Sequence, residues 1–211
     1  MGKMGKMGKS KSSTVEATLW ANGFTRIVGV DEAGRGAYAG PLVVAAVILD
    51  PDNPLSKVGD SKKFTPKIRT EIALEIRERA LAVAVIEISP AEIDANGVHK
   101  ANLAGMRRAI VEIGKCDYAL TDGYAIEGVM VPTLAIWKGD QVSATVGAAS
   151  IIAKTHRDQI MIESDQQFPG YGFADHKGYG TATHTAALKS KGVTSIHRRS
   201  FAPIAQLLLN S

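Results

Sequence analysis

Ile27-Val28-Gly29-Val30-Asp31-Glu32-Ala33-Gly34-Arg35-Gly36 decides how the rest of this chain is read. A short β-branched apolar run reads as a buried strand, and it leads straight into two adjacent carboxylates. Burying unpaired carboxylates is costly, so two in a row serve structure poorly. Gly34 and Gly36 permit a sharp bend or a close approach to a partner. Arg35 between them offers a fork of donors suited to phosphate. The pattern suits a cation held by the two acids with a phosphate lying against it. The weaker alternative is a plain strand end with solvated acids, one of them paired with Arg35.

The chain of 211 residues is long enough for one domain with a full core. Its net charge of +4 leans toward polyanionic partners, a bias that many basic proteins share. Cys116 is the single cysteine, which excludes a disulfide framework and points to a reducing, cytoplasmic compartment. No apolar run reaches the ~18 residues that a membrane helix requires. At the N-terminus a Met-Gly-Lys triplet occurs three times, with no apolar core of a signal peptide. Residues 1–14 are therefore expected to be a disordered basic arm, and 15–211 a single domain.

Within that domain, residues 15–23 suit a short helix or cap. Strands are expected at 26–31 and 42–49, close enough in sequence to pair antiparallel across Gly40-Pro41. Thr65 as N-cap and Pro66 at the first helical position predict a helix over 66–79. Further strands are expected at 81–88, 118–122 and 131–137. Ser89-Pro90-Ala91-Glu92 has the form of a capped helix start, with a longer helix over 99–113. Residues 144–164 read as a helix with Ala149, Ile152, Ala153, His156 and Ile160 on one face. Ser150, Lys154 and Asp158 form another stripe at steps of four. Helices near 183–191 and 203–209 complete a C-terminal part that is helical from about 169. Five strands alternating with helices predict an α/β fold, a mixed sheet flanked by helices.

Three strand ends finish in an acid: Asp31-Glu32, Asp122, and Asp140 in Lys138-Gly139-Asp140. Neighbouring strands lie roughly 4.8 Å apart, so parallel pairing would bring Asp31 and Asp122 to one ion. Gathered carboxylates repel one another unless cations neutralise them. Oxygen donors without a His/Cys cluster favour Mg2+ or Mn2+. Two such ions about 3.5–4 Å apart are the arrangement that cleaves phosphodiesters. Taken singly, Asp122-Gly123 and Lys138-Gly139-Asp140 suit an ordinary turn and loop just as well.

Together, the Asp31-to-Gly36 segment, Asp60-Ser61-Lys62-Lys63, Lys138-Gly139-Asp140 and 148–154 resemble the type 2 ribonucleases H, the bacterial ribonuclease HII branch in particular. His176-Lys177-Gly178-Tyr179-Gly180-Thr181 and His197-Arg198-Arg199-Ser200-Phe201 extend the match, which covers about 26–208 in order. The resemblance implies an RNase H-like fold and metal-dependent cutting of RNA in RNA/DNA duplexes. That includes single ribonucleotides embedded in DNA, cut on their 5′ side to leave 3′-hydroxyl and 5′-phosphate ends. It implies Asp31, Glu32, Asp122 and Asp140 as metal ligands and catalytic acids. It assigns the sensing of the ribose 2′-hydroxyl to Gly34-Arg35-Gly36, and stacking on the junction sugar to Tyr179.

Only the 2′-hydroxyl and the helix shape it imposes distinguish RNA here, so backbone donors beside glycines make physical sense. Ser61, Lys62, Lys63, Ser150 and Lys154 are expected near phosphates, with Asp158 as support. Read without the resemblance, Ser150, Lys154, Arg157 and Asp158 equally suit a solvated helix face, and Tyr179 a packing residue. His99, His156, His176, His184 and His197 lack ligand spacing with cysteine and read as structural or nucleic-acid contacts. Many relatives carry Asn-Ile-x-x-Ala-Thr where this chain has Gly97-Val98-His99-Lys100-Ala101-Asn102, so a threonine-specific contact to DNA is not expected to carry over, although Asn102 can still hydrogen-bond. No sliding-clamp peptide is recognisable after Phe201, and a monomer is expected.

Overall fold

The computed structural model of the protein describes residues 14–55, 61 and 64–209. The expected basic arm, apart from Thr14, lies outside the described residues, as do Lys62 and Lys63. Five strands form one mixed sheet in the order β3-β2-β1-β4-β5. They are β1 (Ile27–Ala33), β2 (Leu42–Ile48), β3 (Ala82–Ile88), β4 (Tyr118–Asp122) and β5 (Thr133–Ile136). β2 pairs antiparallel with β1 and β3, whereas β4 lies parallel to both β1 and β5. This matches the expected α/β architecture.

Alternation along the central strands builds the two layers. Val28 and Val30 of β1 and Val44 and Ala46 of β2 pack with Ala101, Met106 and Ala109 of α4 (Val98–Glu112). Ala33, Val43, Ala45 and Val47 face α2 (Pro66–Arg79) and α6 (Ala144–Gln167) on the opposite side. The odd residues of β1 therefore look toward α6 and the even ones toward α4. Asp31 and Glu32, as neighbours, look toward different layers.

Two devices fix α6 on β1. A Cβ at Gly29 would lie 2.2 Å from the Thr145 carbonyl carbon, so only glycine lets the helix start lie on the strand. Glu16 of α1 (Thr14–Ala21), only 2% exposed, accepts from the Thr145 amide at 3.0 Å and from the Ser143 and Thr145 hydroxyls. Ser143 in turn caps α6 through the Val146 amide. An acid at a helix N-terminus also suits the helix dipole.

The caps read from sequence form as expected, Thr65 on α2 and Ser89 on α3 (Pro90–Asn96). Three differences stand out among smaller shifts of one to three residues at element ends. β1 runs past Asp31 to Ala33, because Glu32 and Ala33 still pair with Val44 and Val43. β5 is shorter than the expected 131–137, since Lys138 turns into the left-handed region (φ 54) and leads into α5 (Gly139–Val142). A four-residue α7 (Phe173–His176) between left-handed Gly172 and Lys177 was not expected. It is followed by α8 (Ala182–Lys191) and α9 (Ala202–Leu209).

Candidate active site

The parallel pairing of β1 with β4 brings Asp31, Glu32 and Asp122 to one end of the sheet. The Asp122 carboxylate accepts a hydrogen bond from the Gly139 amide at 2.7 Å, which ties β4 to the turn carrying Asp140. All four acids line one cleft of about 500 Å³. Asp31 and Asp140 are 5% and 8% exposed. Among the described residues, no three acid, histidine or cysteine side chains are gathered tightly enough to hold an ion by themselves.

The electrostatics of this cluster are strained. Burial, then the charges of Glu32 and Asp122, push the Asp31 carboxyl well above its usual range, with Ser150 and the Glu32 amide pulling the other way. Burial, then Asp122, push Glu32 up to about 7. Arg35 favours its charged form, as does Asn102, which faces it from α4. Yet Glu32 Oε2 and both amide atoms of Asn102 are buried without a hydrogen-bond partner among the described residues. A self-repelling set of oxygen donors with an orphaned carboxylate oxygen fits a hard divalent cation.

The Gly34-Arg35-Gly36 loop is held from beneath by two buried arginines. Arg157 donates to the Pro41 and Ala39 carbonyls, at 2.9 and 3.1 Å. Arg198 donates to Gly40 and Arg35 carbonyls at 3.1 and 2.9 Å. Gly34 sits at φ +88 directly on Arg157, whose Nε would lie 1.8 Å from any Cβ there. Both guanidinium groups are fully buried. Burial, then the charge of Arg157, pull Arg198 down to about 9, so it remains charged at neutral pH, and burial pulls Arg157 down as well. The Arg35 carbonyl is thus turned inward, together with the carbonyls of Ala39, Gly40 and Pro41 that follow the loop, while Gly36 stays exposed at the cleft.

Tyr179, 38% exposed, lies over Arg157 with the guanidinium carbon 5.4 Å from the ring centroid. Its carbonyl is held by a directed chain of imidazoles. The Thr194 amide donates to His197 Nδ1, which leaves Nε2–H to donate to His184 Nε2 at 3.0 Å. His184 Nδ1–H then donates to the Tyr179 carbonyl at 3.0 Å. Burial lowers the pKa of both rings, and the repulsion that a second proton on His184 would meet adds to it in bringing His197 to about 4.

Every expected site residue among those described lines this one cleft: the four acids, Gly34, Arg35, Gly36, Ser61, Ser150, Lys154 and Tyr179. Lys62 lies outside the described residues. Ser61 and Ser150 meet through their hydroxyls at 3.0 Å, and Asp158 bridges Lys154 (2.6 Å) and Arg69 (3.3 Å). Of the stripe that also suited a solvated face, Arg157 is wholly buried. Asn102 likewise points inward beneath Glu32 and does not face solvent. Two contributors escaped sequence reading: Tyr124, hydrogen-bonded to Arg35, and Trp137 on the rim. Their only sequence signal was an aromatic residue within two positions of a candidate acid or its loop.

The family described as Ribonuclease HII matches residues 28–204. A curated Ribonuclease HII from Salinispora tropica is 50% identical over 194 residues, covering 90% of this chain and 72% of the relative. The crystal structure of ribonuclease H2 from Pyrococcus horikoshii OT3 superposes with a TM-score of 0.76 at 25% identity, over 88% of this chain and 98% of that one. Bst-RNase HIII in complex with Mn2+ shares the fold, with a TM-score of 0.71 at 20% identity over 95% and 74%.

Proposed function

The chain belongs to the ribonuclease HII family, and from that premise we propose that it hydrolyses the phosphodiester on the 5′ side of a ribonucleotide in a duplex with DNA. Its substrates are RNA/DNA hybrids and single ribonucleotides embedded in duplex DNA, and the products carry 3′-hydroxyl and 5′-phosphate ends. The observation that carries this reading is the meeting of four acids from separate segments in one cleft, two of them almost wholly buried.

Asp31, Glu32, Asp122 and Asp140 would hold divalent ions, Mg2+ or Mn2+, two with substrate bound. Such ions supply activation of water and neutralise the departing 3′ oxygen. Magnesium ordinarily takes one or two protein carboxylates and completes its shell with water and substrate oxygens. The residues of the chain do the positioning. Lys154, oriented by Asp158, and Arg35, oriented by Tyr124, present positive charge to phosphates along the cleft. Gly34 to Gly36 lie close enough to a strand for main-chain donors to meet a 2′-hydroxyl. Tyr179 offers a ring face to the neighbouring sugar.

A duplex with one embedded ribonucleotide, incubated with Mg2+, Mn2+ or EDTA, tests this directly. Metal-dependent cutting on the 5′ side of the ribonucleotide is expected, with an all-DNA duplex left intact. Cutting of the all-DNA duplex would indicate another nuclease of this fold, and no cutting with either metal would indicate a binding protein.

A further inference from the structure

Trp137 is 81% exposed and lines the cleft beside Asp122 and Asp140. The other tryptophan of the chain, Trp20, packs instead with the Ile27, Leu120 and Val146 cluster. A lone exposed aromatic means little, but this one has a rigid mount. It follows the last residue of β5, and precedes left-handed Lys138 and the Gly139 amide clamped by Asp122. Lys154 and Arg35 are engaged with Asp158 and Tyr124, whereas the exposed Lys138 side chain makes no hydrogen bond or ion pair among the described residues. An indole face and an uncommitted ammonium thus stand together on the β5 wall. Tyr179 stands by the β1–β2 connection, on the other side of the acids.

We propose that Trp137 and Lys138 form a second contact platform for the nucleic acid, distinct from the Tyr179 side; this rests on the nuclease reading above. β5 lies two strand spacings from β1, roughly 10 Å. At about 3.4 Å per nucleotide, that places the platform at most about three nucleotides from the cut. Bases in a duplex are stacked on one another, so the ring meets the face of a sugar and the ammonium its phosphate. A contact on the rim that touches the strand and not the reacting bond is the same before and during cleavage, so it acts on binding and not on turnover.

The test uses the full chain and the single-ribonucleotide duplex. Trp137→Ala should raise KM about tenfold with kcat within about threefold of wild type. Lys138→Gln should lower the salt dependence of binding by about one phosphate contact. In a noncleaving Asp31→Asn background, duplex should alter tryptophan emission, and Trp137→Phe should abolish that change while Trp20 still emits. Since Trp137 is exposed, melting curves should not move. Unchanged KM in Trp137→Ala, or emission indifferent to saturating duplex, overturns the platform while leaving the nuclease intact. A wild-type protein that cuts nothing with either metal removes the nuclease reading and the platform with it.

Discussion

Asp122 and Gly139 are joined by a 2.7 Å hydrogen bond from amide to carboxylate, so one acid sets the place of another, Asp140. Asparagine can still accept that bond through its side-chain carbonyl, and alanine cannot. Asp122→Asn should keep the fold and lose cleavage by at least about a hundredfold, because only the charge is removed. Asp122→Ala should lose cleavage and also melt lower. Single-turnover rates and thermal melts check both, and a tenth of the wild-type rate in Asp122→Asn would release Asp122 from the metal set.

In the metal-free protein Glu32 keeps its proton to about 7, against 4.5 for the free side chain. Between those values the folded state binds more protons than the unfolded one, so stability falls as pH rises through the window. Asp31 pushes the same way. His197 opposes them: held near 4 against 6.5, it withdraws stability as pH falls below that upper value. Glu32→Gln isolates the acid contribution. Its melting temperature without metal should exceed that of wild type by roughly 2–6 °C at about pH 8, and by almost nothing at about pH 4. Mg2+ should likewise stabilise wild type more at the higher pH; a response independent of pH would dissociate Glu32 from the ion.

Tyr179→Ala should lower the cleavage rate at a ribonucleotide–DNA junction by at least about tenfold, with duplex affinity within about threefold. Tyr179→Phe should retain most of the rate, since the ring face and the main-chain carbonyl held by His184 both survive. Equal losses of binding and rate in the alanine variant would mean that the ring merely packs on Arg157.

Gly29→Ala should destabilise the fold by about 2–4 kcal/mol, because the added methyl meets main chain at 2.2–2.4 Å and no side chain can yield. For a chain of this size that is about 4–16 °C in melting temperature. An unchanged melt would show that the start of α6 can lift from β1.

How far the sequence could be read depended on the distance over which each feature is determined. Thr65-Pro66 and Ser89-Pro90 carry their helix starts within three residues, and both were legible. The gathering of the acids was legible because three strand ends each finish in one, which weighs more together than any of them singly. Arg157 was not, because at the helix stripe it occupies, a buried and a solvated arginine look alike. Its partners are the carbonyls of Ala39 and Pro41, more than a hundred positions earlier. Glu16 is the same case, finding Ser143 and Thr145 across the molecule. The extra two residues of β1 come from pairing with β2, and α7 is too short to show a period.

The acid pair straddles the sheet, with Asp31 under α6 and Glu32 beside Asn102 of α4. The centre is therefore bound to parity. One residue gained or lost in β1 before position 31 would turn the longer carboxylate toward α6 and the shorter one toward α4, even if every hydrophobic contact were repaired. Changes of length in the turn at 50–54, just after β2, carry no such penalty, so the tolerance of this enzyme to insertion should drop abruptly at a strand that is otherwise ordinary.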